Sequence, residues 1–106
     1  MAANFEHYKI FYYAARYGSF TKAAELLYSN QPNITRIIRI LESELGCTLM
    51  HRSNRGITLT EEGERLYRRV AAAFEQIELG EEEVRQSAAL ESGTVVIGAS
   101  ETALHL

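Results

Sequence analysis

The 106-residue sequence contains one cysteine, one proline and no aspartate. A lone cysteine, Cys47, cannot close a disulfide within the chain, and it excludes a cysteine-based zinc site. Its position after Gly46 suits a small packed filler, and no second cysteine exists to resolve an oxidised thiol. His7 and His51 have no further ligand at metal spacing, so neither a metal nor another cofactor is expected. Acid–base chemistry would fall to glutamates alone, and their spacing builds no pocket; an enzyme is not expected. Long apolar runs are missing too. Val70 to Phe74, one of the longer runs, is five residues, against the ~20 that a membrane-spanning helix needs. The first six residues lack a basic region followed by an apolar stretch, so no signal peptide and no membrane partner are expected. A cytoplasmic protein is the simplest reading.

The net charge of −3 speaks against nucleic acid until it is divided along the chain. Residues 1–60 carry seven lysines and arginines against four glutamates, a balance of +3. Residues 61–106 carry four arginines against ten glutamates, a balance of −6. A basic head joined to an acidic, solvated helix fits a nucleic-acid-binding protein.

Periodicity places the elements. Phe5, Tyr8, Phe11, Tyr12 and Ala15 recur at helical spacing, which predicts a helix from Asn4 to Tyr17 with one apolar face. Asn4 can cap its start and Gly18 its end. Ser19 caps a second, short helix to Leu27, followed by the tight connection Tyr28-Ser29-Asn30. Pro32 falls in the first turn of a third helix, where a missing N–H costs nothing. That helix ends at Gly46 and buries Ile34, Ile38, Leu41 and Leu45. The expected core joins these four to Phe11, Ala24 and Leu27. Residues 48–51 and 56–60 read as two short strands with the basic turn Arg52-Ser53-Asn54-Arg55 between them. Thr60 caps a long helix reaching about Leu90, with Glu61 and Glu62 at the positive end of its dipole. At ~30 residues and ~1.5 Å each it would span about 45 Å, too long to pack along one small head. Leu66, Val70, Ala73 and Ile77 open an apolar seam along it, continued by Gly80, Val84 and Ser87. Beyond the break at Glu91-Ser92-Gly93, Thr94 to Ile97 read as a buried-type strand. A lone strand cannot bury its faces, so the chain is expected to stop inside a further domain.

Two short helices joined by a tight turn, with the small pair Ala23-Ala24 in the first, fit a helix-turn-helix. Its second helix presents its start to the major groove. Gln31, Asn33, Thr35 and Arg36 lie there. Amides pair bidentately with adenine, and arginine pairs with guanine or phosphate. The free N–H groups of the first turn, beyond Asn30 and Pro32, can hold a phosphate, and Arg39 lies one turn further on. The basic hairpin then flanks the helix as a wing, and a slim arginine suits a narrow minor groove. Ile37 either touches a thymine methyl or adds packing.

At these residues the sequence resembles the N-terminal part of LysR-type transcriptional regulators. The likeness runs from Phe5 to Ser100. It is carried by Gly18-Ser19-Phe20-Thr21-Lys22-Ala23-Ala24-Glu25, Gln31-Pro32 and Thr35-Arg36. It continues through Leu41-Glu42, Glu44-Leu45-Gly46, Leu49, Arg52, Leu59-Thr60 and Glu62-Gly63, and ends at Ile97-Gly98-Ala99-Ser100. Ser29, Asn33, Ile37 and Met50 depart from the family's usual residues. The resemblance implies that Gln31, Pro32, Thr35 and Arg36 contact bases and phosphates. It implies that Arg52 holds a phosphate and that Arg55 enters the minor groove. Ser100 matches a hydroxylated residue that touches the effector in the family. A small-molecule effector is therefore expected only through a C-terminal domain absent here.

The reading is a mainly α protein in three parts. Residues 1–60 form a winged helix-turn-helix of three helices and a two-stranded wing. Residues 61–91 form a linker and dimerisation helix, with Leu66, Val70, Phe74 and Ile77 in the contact. Residues 92–106 begin an effector-binding domain. The expected partners are a near-palindromic double-stranded operator and a second copy of the chain, with a tetramer for the full-length protein. Two alternatives stand: a coiled-coil protein-interaction module, and a winged-helix regulator of another family.

Overall fold

The computed structural model describes residues 4–91. The elements follow the order α1 (Phe5–Tyr17), α2 (Phe20–Leu26), α3 (Gln31–Leu45), β1 (Met50–Ser53), β2 (Gly56–Leu59) and α4 (Glu61–Glu91). The strand expected at Thr94–Ile97, Ser100 and the remaining tail lie outside the described residues. By its internal contacts the chain forms two units, residues 1–71 and residues 72–106. The first unit takes in the start of α4.

Each helix begins where a side chain can accept the free N–H groups of a first turn. Asn4 accepts from the His7 N–H, Ser19 from Lys22 and Asn30 from Asn33. Gly18 and Gly46 close α1 and α3 in the left-handed conformation, at φ 63° and 73°, as glycine does without a Cβ penalty. Thr60 does two things at once. Its hydroxyl donates to the Thr48 carbonyl at 2.6 Å and accepts from the Gly63 N–H at 3.0 Å, tying α4 to the chain ahead of the wing.

The core of the first unit lies where α3 packs on both α1 and α2. Phe11, Ile34, Leu41 and Leu49 are its largest fully buried side chains. Three expectations are corrected here. The buried stripe of α1 is Ile10, Phe11 and Ala14, while Phe5, at the first residue of the helix, is exposed. On α3 the buried set is Ile34, Ile37, Ile38 and Leu41. A helix wedged between two others buries a wider stripe than one face, so Ile37 packs into the core. Leu45 is 45% exposed, one turn past Leu41 where Gly46 ends the helix. Leu27, which caps α2, is only half-buried.

The wing is also corrected. The strands pair antiparallel in the register Met50↔Leu59, His51↔Thr58, Arg52↔Ile57 and Ser53↔Gly56. Arg52 therefore lies within β1, and the turn is Asn54-Arg55. The strand starts late because the Glu42 carboxylate of α3 accepts the Leu49 N–H at 2.8 Å and the Met50 N–H at 3.4 Å. The Thr48 carbonyl is likewise taken by Thr60. The wing is fixed near its tip to the corner between α1 and α2, where the Ile57 N–H donates to the Gly18 carbonyl at 3.2 Å. Gly56, at φ 116°, leaves no room for a side chain: a Cβ there would sit 2.8 Å from that same carbonyl oxygen.

The first turns of α4 belong to this unit. Val70 is 8% exposed, and Tyr67 stacks on Tyr12 of α1 with ring centroids 5.7 Å apart. A Cβ on Gly63 would be driven into the Leu49 carbonyl oxygen, so only glycine lets this backbone close on the segment before β1. In the second unit, residues 72–91 continue α4. Ile77, Leu79, Val84 and Leu90 are exposed along it. Among the described residues, no helix is long and apolar enough to cross a membrane.

Candidate nucleic-acid interface

The turn between α2 and α3 sets the angle at which α3 is presented. Ala23 and Ala24 are buried, and their small side chains let the two helices approach closely. The Ser29 N–H donates to the Ala24 carbonyl at 2.8 Å and the Tyr28 N–H to the Glu25 carbonyl at 3.3 Å. This paired closure of a helix end places its left-handed residue at Tyr28, φ 54°, where glycine is usual. The Tyr28 side chain is 98% exposed, so no packing compensates its backbone strain. Two residues later Asn30 caps α3. The reversal is complete within four residues, and the start of α3 is left facing outward.

A groove of about 740 Å³ runs along that outward face. It is lined by Gln31, Pro32, Thr35, Arg36 and Arg39, further along by Ile40, Ser43 and Glu44, and from the wing by Arg52. Arg52 crosses from β1 to α3. Its guanidinium lies over the Phe20 ring at 4.9 Å and donates to the Thr35 Oγ1 at 3.4 Å. Cation–π contact and hydrogen bond hold this long side chain at the groove's edge. Among the described residues, the ion pairs Glu61–Arg65 and Glu82–Arg85 both lie on α4. Among these residues, no carboxylate pairs with Arg36, Arg39, Arg52 or Arg55, so their positive charge is left open to a partner.

Of the expected DNA-contacting residues, six therefore meet in one groove: Gln31, Pro32, Thr35, Arg36, Arg39 and Arg52. Three do not line it. Asn30 is engaged as the cap of α3. Asn33 turns along the helix, between Ser29 and Arg36. Arg55 stands exposed at the wing tip, its backbone N–H donating to the Ser53 Oγ. Ile40, Ser43 and Glu44 were missed as groove residues. They follow Arg36 and Arg39 at three- and four-residue spacing, a signal present in the sequence. Phe20, as the plate under Arg52, joins residues 32 positions apart, and nothing local announces it. Of the residues expected at a dimer contact, Val70 is buried within the chain, Leu66 and Phe74 are half-buried and Ile77 is exposed.

A three-helix head with a two-stranded wing and an outward-facing, arginine-lined helix is a winged helix-turn-helix. The family model described as "Bacterial regulatory helix-turn-helix protein, lysR family" matches residues 5–64. The chain belongs to this family, which sets aside a winged helix of another kind. It is 37% identical over 98 residues to the HTH-type transcriptional regulator PcaQ of Agrobacterium fabrum, covering 92% of this chain and 32% of that one. It is 42% identical over 100 residues to the regulator YofA of Bacillus velezensis, covering 92% of this chain and 34% of that one. The chain thus spans about a third of the length of these relatives. Among solved structures, it is similar to a CbnR_DBD–DNA complex with a TM-score of 0.67 and 34% identity, over 80% of this chain and 98% of that one. A BenM_DBD/catB site 1 DNA complex gives a TM-score of 0.71 and 30% identity, over 81% of this chain and 97% of that one.

Proposed function

We propose that this chain binds double-stranded DNA sequence-specifically and acts as the N-terminal part of a regulator of transcription, not as an enzyme. The observation that carries this reading is the groove on α3. Unneutralised Arg36, Arg39 and Arg52 attract the phosphate backbone, while Gln31 and Thr35 offer the amide and hydroxyl that discriminate base edges. Two similar solved structures are DNA complexes of DNA-binding domains, which supports the same reading. The start of α3 enters the major groove, Arg52 holds the backbone at its edge, and Arg55 reaches the minor groove from the wing tip. Residues 1–60 are the DNA-binding domain and residues 61–91 the helix through which two copies pair. Residues 92–106 open an effector-binding domain whose remainder would take the small molecule. A cytoplasmic location follows from a partner that is chromosomal DNA.

The test is selection of bound duplexes from a random pool, followed by anisotropy titration of the enriched and a scrambled duplex at several salt concentrations. The expected result is one enriched, near-palindromic sequence. Affinity should fall with salt, the logarithm of the binding constant losing about 0.9 per phosphate neutralised and per logarithm of salt. A chain that enriches nothing and binds no duplex at low salt would refute the proposal.

A further inference from the structure

Asn33 sits on α3 among residues that face DNA in the reading above, yet both ends of its side-chain amide are tied to neighbours within the protein. Its Nδ2 donates to the Ser29 Oγ at 2.9 Å, and its Oδ1 accepts from the Arg36 Nη2 at 2.6 Å. Its backbone N–H is taken by the Asn30 Oδ1 at 2.8 Å. One of the amide's two N–H donors and one of its two acceptor sites are thus taken within the protein, which fixes the amide's orientation along the helix. Arg36 is exposed and lines the groove, with no carboxylate partner among the described residues to hold it. A guanidinium carries five N–H donors, so one bond to Asn33 leaves an edge of the fork free.

We propose that Asn33 is a positioning residue: the relay from Ser29 through Asn33 fixes the guanidinium of Arg36, the specificity-determining residue, before DNA arrives. The inference rests on the DNA-binding function proposed above and assigns the reading to Arg36 instead of Asn33. A side chain already ordered loses less freedom on binding, and its free edge points one way. Asn33 then contributes both affinity and selectivity without touching a base.

The experiment uses the 106-residue chain and the duplex enriched by the wild type, with a panel in which each base pair is changed in turn. Affinities are measured for N33A, S29A, R36A, N33D and the double variant N33A/R36A, with thermal melting of each protein as a check on folding. N33A should weaken binding to the enriched duplex by about 2- to 10-fold, the size of ordering one long side chain. It should flatten preference at the same base pairs as R36A, and N33A/R36A should bind no worse than R36A alone. S29A should give a smaller loss with the same profile. N33D keeps an acceptor for Arg36, so it should keep the profile while its charge weakens every duplex alike. A purely structural role would lower the melting temperature and leave the profile unmoved, which would overturn the proposal. Losses that multiply in N33A/R36A, or an N33A profile centred on other base pairs, would overturn it too, because Asn33 would then read a base itself. If the wild-type chain enriched no duplex at all, the DNA-binding function would fail and this proposal with it.

Discussion

At the scale of single residues, three glycines and one tyrosine separate backbone shape from packing. Gly63 faces a carbonyl that cannot move aside, so Gly63→Ala is expected to destabilise the chain by about 3 kcal/mol or more, the upper range for overpacking. Gly46 is left-handed but has open space around it, so Gly46→Ala should cost only about 1 kcal/mol. Gly80 is helical with nothing nearby, and Gly80→Ala should strengthen α4 by up to about 1 kcal/mol. Urea unfolding of the three variants tests the order; equal losses at Gly63 and Gly46 would refute the packing account. Tyr28 is the converse case. Tyr28→Gly should raise stability, because it removes left-handed strain and loses no packing. Much of the site was legible at this scale. The residues at the start of α3 announce themselves by type and by nearness to a cap. Glu42, Phe20 and Ser29 did not. Their roles depend on what the fold brings up to them: two N–H groups seven and eight residues downstream, a guanidinium from the wing, and an amide one turn on.

At the scale of elements, the caps decide where helices begin, and the shared contacts decide how the wing is mounted. Thr60 joins α4 to the strand-side loop through one hydroxyl that both donates and accepts. Thr60→Ala should therefore cost about 1–2 kcal/mol, the upper part of the capping range, while Thr60→Ser should keep most of the stability. If the serine variant lost as much as the alanine variant, packing of the methyl and not the hydroxyl would be responsible. Glu42→Ala should cost about 1–3 kcal/mol by leaving two backbone donors without their acceptor. Its effect should also be visible as faster amide exchange at Leu49 and Met50. The helices were legible because caps and periodicity are local: the start of α1 matched within a residue, and α3 ended at Gly46 as read. The strand limits were not, because a side chain on α3 and a cap on α4 remove the groups that would have extended the ladder. The width of the buried stripe on α3 escaped for a similar reason. Period alone gives a face, but the number of partner helices sets how wide that face must be.

At the scale of the whole molecule, the proposed pairing of two copies turns on the exposed part of α4. The long helix changes character along its length. Val70, within the first unit, is already buried in its own chain, whereas Ile77 is 44% exposed and Val84 is 68% exposed in the second. Seven residues separate Ile77 from Val84, two turns of helix, so they lie on one side of it. Under the proposed pairing, these two positions would offer a second copy apolar surface to bury, at ~25 cal/mol per Å². Ile77→Glu and Val84→Glu should therefore shift the chain from dimer to monomer at micromolar concentration in sedimentation equilibrium, while unfolding of the head at low concentration is unchanged. Val70→Ala should do the reverse: it should lower stability by about 1–3 kcal/mol at every concentration and leave association largely intact. DNA binding supplies the independent check. Two heads paired as proposed would place two recognition helices about 34 Å apart, in successive major grooves of a near-palindromic site. The monomerising variants should then lose affinity for the full site yet bind a half-site as well as the wild type does. If Ile77→Glu left both the sedimentation profile and full-site affinity untouched, pairing through this part of α4 would have to be abandoned.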